Sequence, residues 1–285
     1  PQSLNKSIYP SQESPLCLIS NASDDKPMKR LYYLPTEIEF IRQVWGEELV
    51  ESFDGLPSHD GKPRLLFLLG HGSFDKGNAQ FALKQSKLSP QSLIAYQNPI
   101  YALGASSCLL ANHEDIANEP FGFFSQTTSR PELRFGVGAI VPVDDLSTSC
   151  LSLLFHFYWR EIGLPSKAMP LALDALSSGL WPEEVKMIFK KVFTTQLPSI
   201  FNELQQDEVK VSLKQQDLFQ QRCENNILLW TRHTAYYTKQ YKILIDSDDI
   251  DKQQRAVEIL LDGFLENLSQ KQQELACFLP FWLWG

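Results

Sequence analysis

Residues 64–77 read RLLFLLGHGSFDKG and combine a short apolar run with a histidine between two glycines. The run from Leu65 to Leu69 has the length and composition of a strand that is buried on both faces, and Gly70 ends it. His71 therefore follows the carboxyl end of a predicted strand. Open α/β sheets carry their functional groups at that end, so His71 is a candidate functional residue.

Further strand-like and helix-like segments alternate on both sides of this stretch. Short apolar runs predict strands over residues 15–20, 79–85, 99–108 and 134–143, and the glycines of the last run suggest close packing against its neighbours. Helical periodicity predicts helices over residues 35–46 and 89–96. This alternation predicts an α/β fold with a mostly parallel sheet flanked by helices.

End signals accompany the two predicted helices. Ser89 is expected to be the N-cap of the second helix, with Pro90 at its first position. Thr36 is expected near the N-cap of the first helix. The apolar residues predicted to share one face of that helix are Ile38, Ile41, Val44 and Trp45.

The character of the chain changes after Asp145. Helices are predicted over residues 144–163 and 165–179, and only helical patterns are found from about residue 182 to the end. We therefore expect an α/β domain over residues 1–180. Residues 181–285 are expected to form a helical extension that packs on or next to it.

Composition limits the classes of function. The 285 residues are 43% hydrophobic and 21% charged, with a net charge of −8, which is typical of a soluble globular protein without the basic surface that nucleic acid or anionic membranes require. No run approaches the roughly 18 apolar residues of a membrane span. The five cysteines are scattered without a CxxC pair, which predicts no disulfide framework, no metal site and a reducing compartment. No cofactor is predicted.

A second reactive side chain follows another predicted strand. Cys108 comes 37 residues after His71, with a strand and a helix between them. One right-handed crossover of that length would bring the two strand ends to the same edge of the sheet. A thiol beside an imidazole is the pair needed for nucleophilic acyl transfer. The backbone N–H groups of Gly72 and Cys108 are predicted to form an oxyanion hole, and Asp75 to hold the loop after His71 by bonding to backbone.

Segments spread over residues 14–178 resemble the CHAT domains, caspase-like cysteine peptidases related to caspases and separase. The segments that carry the resemblance are LPTEIEFI, LLGHGSFD, FALKQSKLSPQSL, ALGASSC, EPFGFFSQ, GVGAIVPVDD and FYWREIGLPSKAMPLAL. The resemblance implies a caspase-like sheet, with His71 as general base and Cys108 as nucleophile. The sequence departs from the family pattern at two places. Family members often have a small residue or glycine soon after the cysteine, whereas this chain reads CLLAN, and Val141 stands where a tryptophan is usual.

The resemblance also identifies candidate substrate-binding residues. Relatives that cut after Arg or Lys have an acidic residue two places before the cysteine, and Ser106 stands there in this chain. An uncharged or apolar P1 residue is therefore expected. Asp144 and Asp145 border the cleft by resemblance and would change that preference if they line the pocket. Alternatively, they are only the N-cap of the helix that follows.

By resemblance, the chain is a regulated protease that cuts a specific protein in a bacterial defence or cell-death system. A regulatory partner or a fused sensor module is expected to switch it on, and a cytoplasmic location is expected. The alternative is a catalytically inactive scaffold or interaction module, which CLLAN motivates. The other histidines have simpler interpretations: His113 is expected to be solvated, and His156 to be a core histidine.

Overall fold

The fold is described here from a computed structural model that covers the residues between Leu16 and Trp284 with gaps. The described residues are 16–20, 30–52, 56, 58, 60, 64–70, 72–75, 78–83, 87–105, 133, 135–139, 145–212, 215–216, 235–266 and 281–284.

Nine strands and seven α-helices lie within these ranges. The strands are β1 (Leu16–Ser20), β2 (Leu49–Ser52), β3 (Arg64–Leu69), β4 (Gly72–Asp75), β5 (Asn78–Ala82), β6 (Lys87–Leu88), β7 (Ile100–Ala105), β8 (Phe135–Ala139) and β9 (Phe281–Trp284). The helices are α1 (Leu34–Trp45), α2 (Pro90–Ala95), α3 (Asp145–Ile162), α4 (Pro165–Ser178), α5 (Glu183–Lys210), α6 (Ala235–Asp246) and α7 (Ile250–Glu266).

The main sheet has six strands in the order β2-β1-β3-β7-β8-β9. Neighbours from β2 to β8 pair in parallel, and β9 pairs antiparallel to β8. The predicted mostly parallel sheet with flanking helices is therefore confirmed. Strands β4, β5 and β6 form a separate three-stranded sheet.

The strand order reverses direction between β1 and β3. The connection from β1 through α1 leads outward to β2, whereas the connection from β3 through β4–β6 and α2 leads the opposite way to β7. Right-handed crossovers in opposite directions lie on opposite faces of a sheet. Accordingly, Ile41 of α1 lies in the core on one face, and Leu93 of α2 lies in the core on the other.

Alternating side chains of the strands supply both cores. Leu65 and Phe67 of β3 face the larger core, with the helices, and Leu66 and Leu68 face the smaller core, with α2, β5 and β6. Because both faces are covered, the strand reads as a continuous apolar run rather than as an alternating pattern.

Helices beyond residue 180 share the larger core with those before it. The ring of Phe40 in α1 lies 6.1 Å from that of Phe189 and 5.4 Å from that of Phe193, both in α5. Residues 183–210 therefore pack directly on the part of the chain that was predicted as a separate domain.

The prediction of an exclusively helical segment after residue 182 is wrong at one place. Phe281–Trp284 form β9, in which Leu283 pairs with Val137 of β8. An isolated run of four residues has no periodicity of its own, and it becomes a strand because β8 offers it a sheet edge.

The helix-end predictions differ in outcome. Ser89 caps α2 as expected, since its hydroxyl accepts a bond from the Ser92 N–H at 3.2 Å. Thr36 does not cap α1, which begins at Leu34, so Thr36 is a buried residue of the first turn. Of the predicted apolar face, Ile41 and Trp45 are buried, whereas Ile38 and Val44 are partly buried and pack against the same core.

Candidate active site

Strands β3 and β7 are neighbours that run parallel and in register. Leu68 lies opposite Ala105, and on the other side of β3 Ser20 lies opposite Leu69. The carboxyl ends of β1, β3 and β7 are therefore level at one edge of the sheet. This edge includes the point of strand-order reversal, where open α/β sheets bind their ligands.

The two predicted catalytic residues follow these strands at equal distance. His71 stands three positions after Leu68, and Cys108 stands three positions after Ala105. Both residues lie outside the described ranges, as do Ser106 and Asp144. The structure thus describes β3 and β7, the two strands that precede His71 and Cys108 in the sequence.

Gly70 is the last described residue before His71. Its φ of 146° lies in a region that side chains with a Cβ rarely adopt. A glycine is therefore required where the chain leaves the main sheet.

Gly72, the predicted oxyanion-hole residue, opens strand β4 opposite Phe81 of β5. Residues 72–75 form this strand and not the predicted loop, because they pair with Asn78–Phe81. His71 thus stands in the sequence between a strand of the main sheet and a strand of the small one.

Asp145 is the first residue of α3. The sequence allows two interpretations of Asp144 and Asp145, a border of the substrate cleft and a helix N-cap. Asp144 lies outside the described residues, and both interpretations stay predictions.

Helices α1 and α3 run parallel to each other. The Ser149 hydroxyl donates to the Tyr33 carbonyl at 3.5 Å at one end, and the rings of Trp45 and Trp159 lie 5.4 Å apart at the other. Each helix begins after the carboxyl end of a strand and leads back towards the opposite edge. The amino-terminal ends of both helices therefore lie towards the sheet edge where β3 and β7 end.

A close contact between β3 and β7 lies just before these strand ends. Phe67 is opposite Gly104, and a Cβ at position 104 would lie 2.3 Å from Cδ2 and 2.4 Å from Cε2 of the Phe67 ring. It would also lie 3.2 Å from Cγ1 of Val137. Sequence reasoning suggested close packing for the glycines of β8 but overlooked Gly104, whose only signal was a glycine within a strand pattern.

The ring of Phe67 packs against the ring of His156. The two ring centroids are 4.4 Å apart in an edge-to-face arrangement, and Nδ1 of His156 accepts a hydrogen bond from Nε1 of Trp45 at 3.0 Å. His156 is fully buried, as predicted for a core histidine. Burial lowers the pKa of His156 from 6.5 to about 3, so the ring is neutral at physiological pH. Because Nδ1 accepts, the proton is on Nε2.

The described ranges contain neither a metal-binding group of side chains nor a membrane-spanning helix. None of their His, Cys, Asp and Glu residues form a group of three or more that could hold a metal ion. None of the helices in these ranges is both long and apolar enough to cross a membrane.

The chain was also compared with known proteins. It matches no protein-family model, and a search of the curated proteins found no match.

Proposed function

We propose that the chain is a cysteine endopeptidase with a caspase-like fold, in which His71 and Cys108 form the catalytic dyad. The observation that carries the proposal is the pairing of β3 with β7, with Leu68 opposite Ala105. Adjacent strands lie about 4.8 Å apart, so we expect residues that follow both strands at equal distance to lie close to each other. Thiol and imidazole groups need this proximity for proton transfer.

The proposed reaction uses only groups of the protein, the substrate and water. His71 takes the proton of the Cys108 thiol, and the thiolate attacks the scissile carbonyl carbon. The N–H groups of Gly72 and Cys108 stabilise the resulting oxyanion. The peptide C–N bond then breaks, and the leaving amine takes the proton from His71. Water, deprotonated by His71, hydrolyses the thioester and regenerates the thiol.

The proposed substrate is a protein with an uncharged or apolar P1 residue, because Ser106 supplies no charge two positions before the nucleophile. Asp144 and Asp145 are the residues that would alter this preference from the border of the cleft. We place the enzyme in the cytoplasm as a regulated effector of a bacterial defence or cell-death system, controlled by a partner or a fused sensor module. The buried Cys17 and Cys150 lie in cores on opposite faces of the sheet, which suits a chain that needs no disulfide framework.

A thiol-reactive peptide ketone with an apolar P1 residue tests the dyad. Mass spectrometry of the wild type should find the label on Cys108. The His71→Ala variant should be labelled about 100-fold more slowly, because a positioned general base contributes about 10²–10⁴ to the rate. The variants His113→Ala and Cys277→Ala remove the same residue types at positions with no proposed role, and their labelling should equal that of the wild type.

Equal labelling rates in the wild type and His71→Ala would contradict the proposal. The alternative, an inactive scaffold or interaction module, predicts that result, because it requires the fold but no activated thiol. Its motivation is the sequence CLLAN at residues 108–112, which departs from the family pattern.

A further inference from the structure

The contact between Phe67 and Gly104 joins the two strands that precede the proposed dyad. Phe67 stands four residues before His71 on β3, and Gly104 stands four residues before Cys108 on β7. The two residues are opposite each other in the sheet, so a side chain at position 104 would meet the ring of Phe67 four residues before both proposed catalytic residues.

Phe67 is buried and packs against two neighbouring rings. Its side chain is buried, with the His156 ring centroid at 4.4 Å and that of Phe155 at 6.2 Å. His156 is itself held by the hydrogen bond from Trp45. A Cβ at 2.3 Å from Cδ2 of Phe67 would therefore have to be accommodated by a shift of the strands rather than of the ring alone.

We propose that Gly104 is a positioning residue, whose missing Cβ lets the Phe67 ring lie across β7 and thereby sets the relative placement of His71 and Cys108. The inference rests on the proposed function. It assigns Gly104 no contact with the substrate. Its effect on the reaction passes through the two strands.

The pH dependence of Cys108 alkylation measures the proposed effect directly. A dyad with His71 should give Cys108 a pKa well below the ordinary thiol value of about 8.5. In Gly104→Ala the displaced strands should separate the pair, so the alkylation profile should shift towards that ordinary value. The rate at pH 6 should fall by about tenfold or more, in proportion to the lost thiolate. Iodoacetamide is the probe, and mass spectrometry of the peptide that contains Cys108 reports the rate.

A double variant distinguishes positioning from a general loss of stability. In Gly104→Ala with Phe67→Val, the ring that the new methyl group would strike is absent, so the strands can return to their spacing. The Cys108 profile should then recover most of the wild-type shift, although the lost ring leaves the protein less stable. The matched control is Phe155→Leu, which removes a ring beside Phe67 but leaves Phe67 and Gly104 unchanged. It should lower the melting temperature and leave the profile unchanged.

The outcomes separate this inference from the proposed function. If His71→Ala raises the pKa of Cys108 but neither Gly104→Ala nor the double variant behaves as described, the positioning role is overturned and the dyad stands. If Gly104→Ala does not fold, the double variant alone decides. A folded double variant whose Cys108 alkylation still has the pH dependence of an ordinary thiol overturns the positioning role. If the wild-type profile is that of an ordinary thiol and His71→Ala leaves it unchanged, both proposals fail.

Discussion

His156 is the clearest case in this chain of a titratable side chain that folding holds in one charge state. It is fully buried among the rings of Trp45, Phe67, Phe155 and Trp159. Desolvation lowers its pKa to about 3, because the charged imidazolium would lose its hydration without gaining an anionic partner. The neutral ring instead accepts a hydrogen bond from Trp45, which orients it beneath Phe67.

We expect the stability of the protein to fall on acidification because of His156. The unfolded chain takes up a proton near pH 6.5, whereas folded His156 does so only near pH 3, so protonation favours the unfolded state between these values. The free energy of unfolding should be about 1.4 kcal/mol lower at pH 5.5 than at pH 7.5 from this group alone. Urea unfolding of the wild type and His156→Gln at both pH values isolates this share, since the other titrating groups are common to both proteins. The same pH dependence in the two proteins would contradict the assignment.

Asp207 on α5 ties two elements together that are far apart in sequence. Its side chain is fully buried and accepts a hydrogen bond from the Tyr32 hydroxyl at 2.9 Å. It also pairs with Arg30 at 3.0 Å and with Lys210 at 3.2 Å. Burial lowers the pKa of Arg30, but the hydrogen bond to Glu203 and the charge of Asp207 outweigh this effect and leave it raised. The segment that leads into α1 is thus fixed on the last turns of α5.

We expect Asp207→Asn to lower the free energy of unfolding by roughly 1.5–3 kcal/mol, the range for a lost hydrogen bond to a charged group. The amide keeps the size of the side chain but not the charge that Arg30 and Tyr32 meet. Asp249→Asn is the matched control, because Asp249 also pairs with a lysine three residues later, at 3.1 Å, but on the exposed surface. Chemical denaturation measures the free energy of unfolding of both variants. An equal loss in the two would mean that the buried network stabilises the fold no more than a surface ion pair does.

The larger core lies on one face of the main sheet and includes residues from both sides of residue 180. Phe189 and Phe193 of α5 contact Phe40 of α1, and Phe264 of α7 stacks on Phe189 at 5.2 Å. Strand β9 adds a second link, because it pairs with β8 at the end of the main sheet. The part of the chain after residue 180 thus covers apolar surface that the first part cannot bury alone.

We therefore expect the fragment of residues 1–180 not to fold cooperatively on its own. Without α5, the rings of Tyr33 and Phe40 would be exposed to water. Thermal melting followed by circular dichroism, with binding of a hydrophobic dye, compares the fragment with the full chain. A sharp two-state melt of the fragment, without dye binding, would show that the first part is an independent domain and that α5 is dispensable for its core.

The sequence by itself determined the elements whose signal is local. Buried runs located β1, β3, β7 and β8, and the hydroxyl of Ser89 marked the start of α2. These predictions succeeded because apolar runs and capping bonds involve neighbours along the chain. The candidate site depends on the same local signals, and its pairing of strands follows from the crossover rule.

Only the tertiary structure decided the features that join distant residues. Strand β9 forms because it pairs with the edge of β8, Asp207 is buried where Arg30 and Tyr32 contact it, and Gly104 is required because the ring of Phe67 crosses it. None of these features has a periodicity or a motif of its own. Each depends on which surfaces the packed sheet and helices bring together, and that is a property of the whole core rather than of any segment.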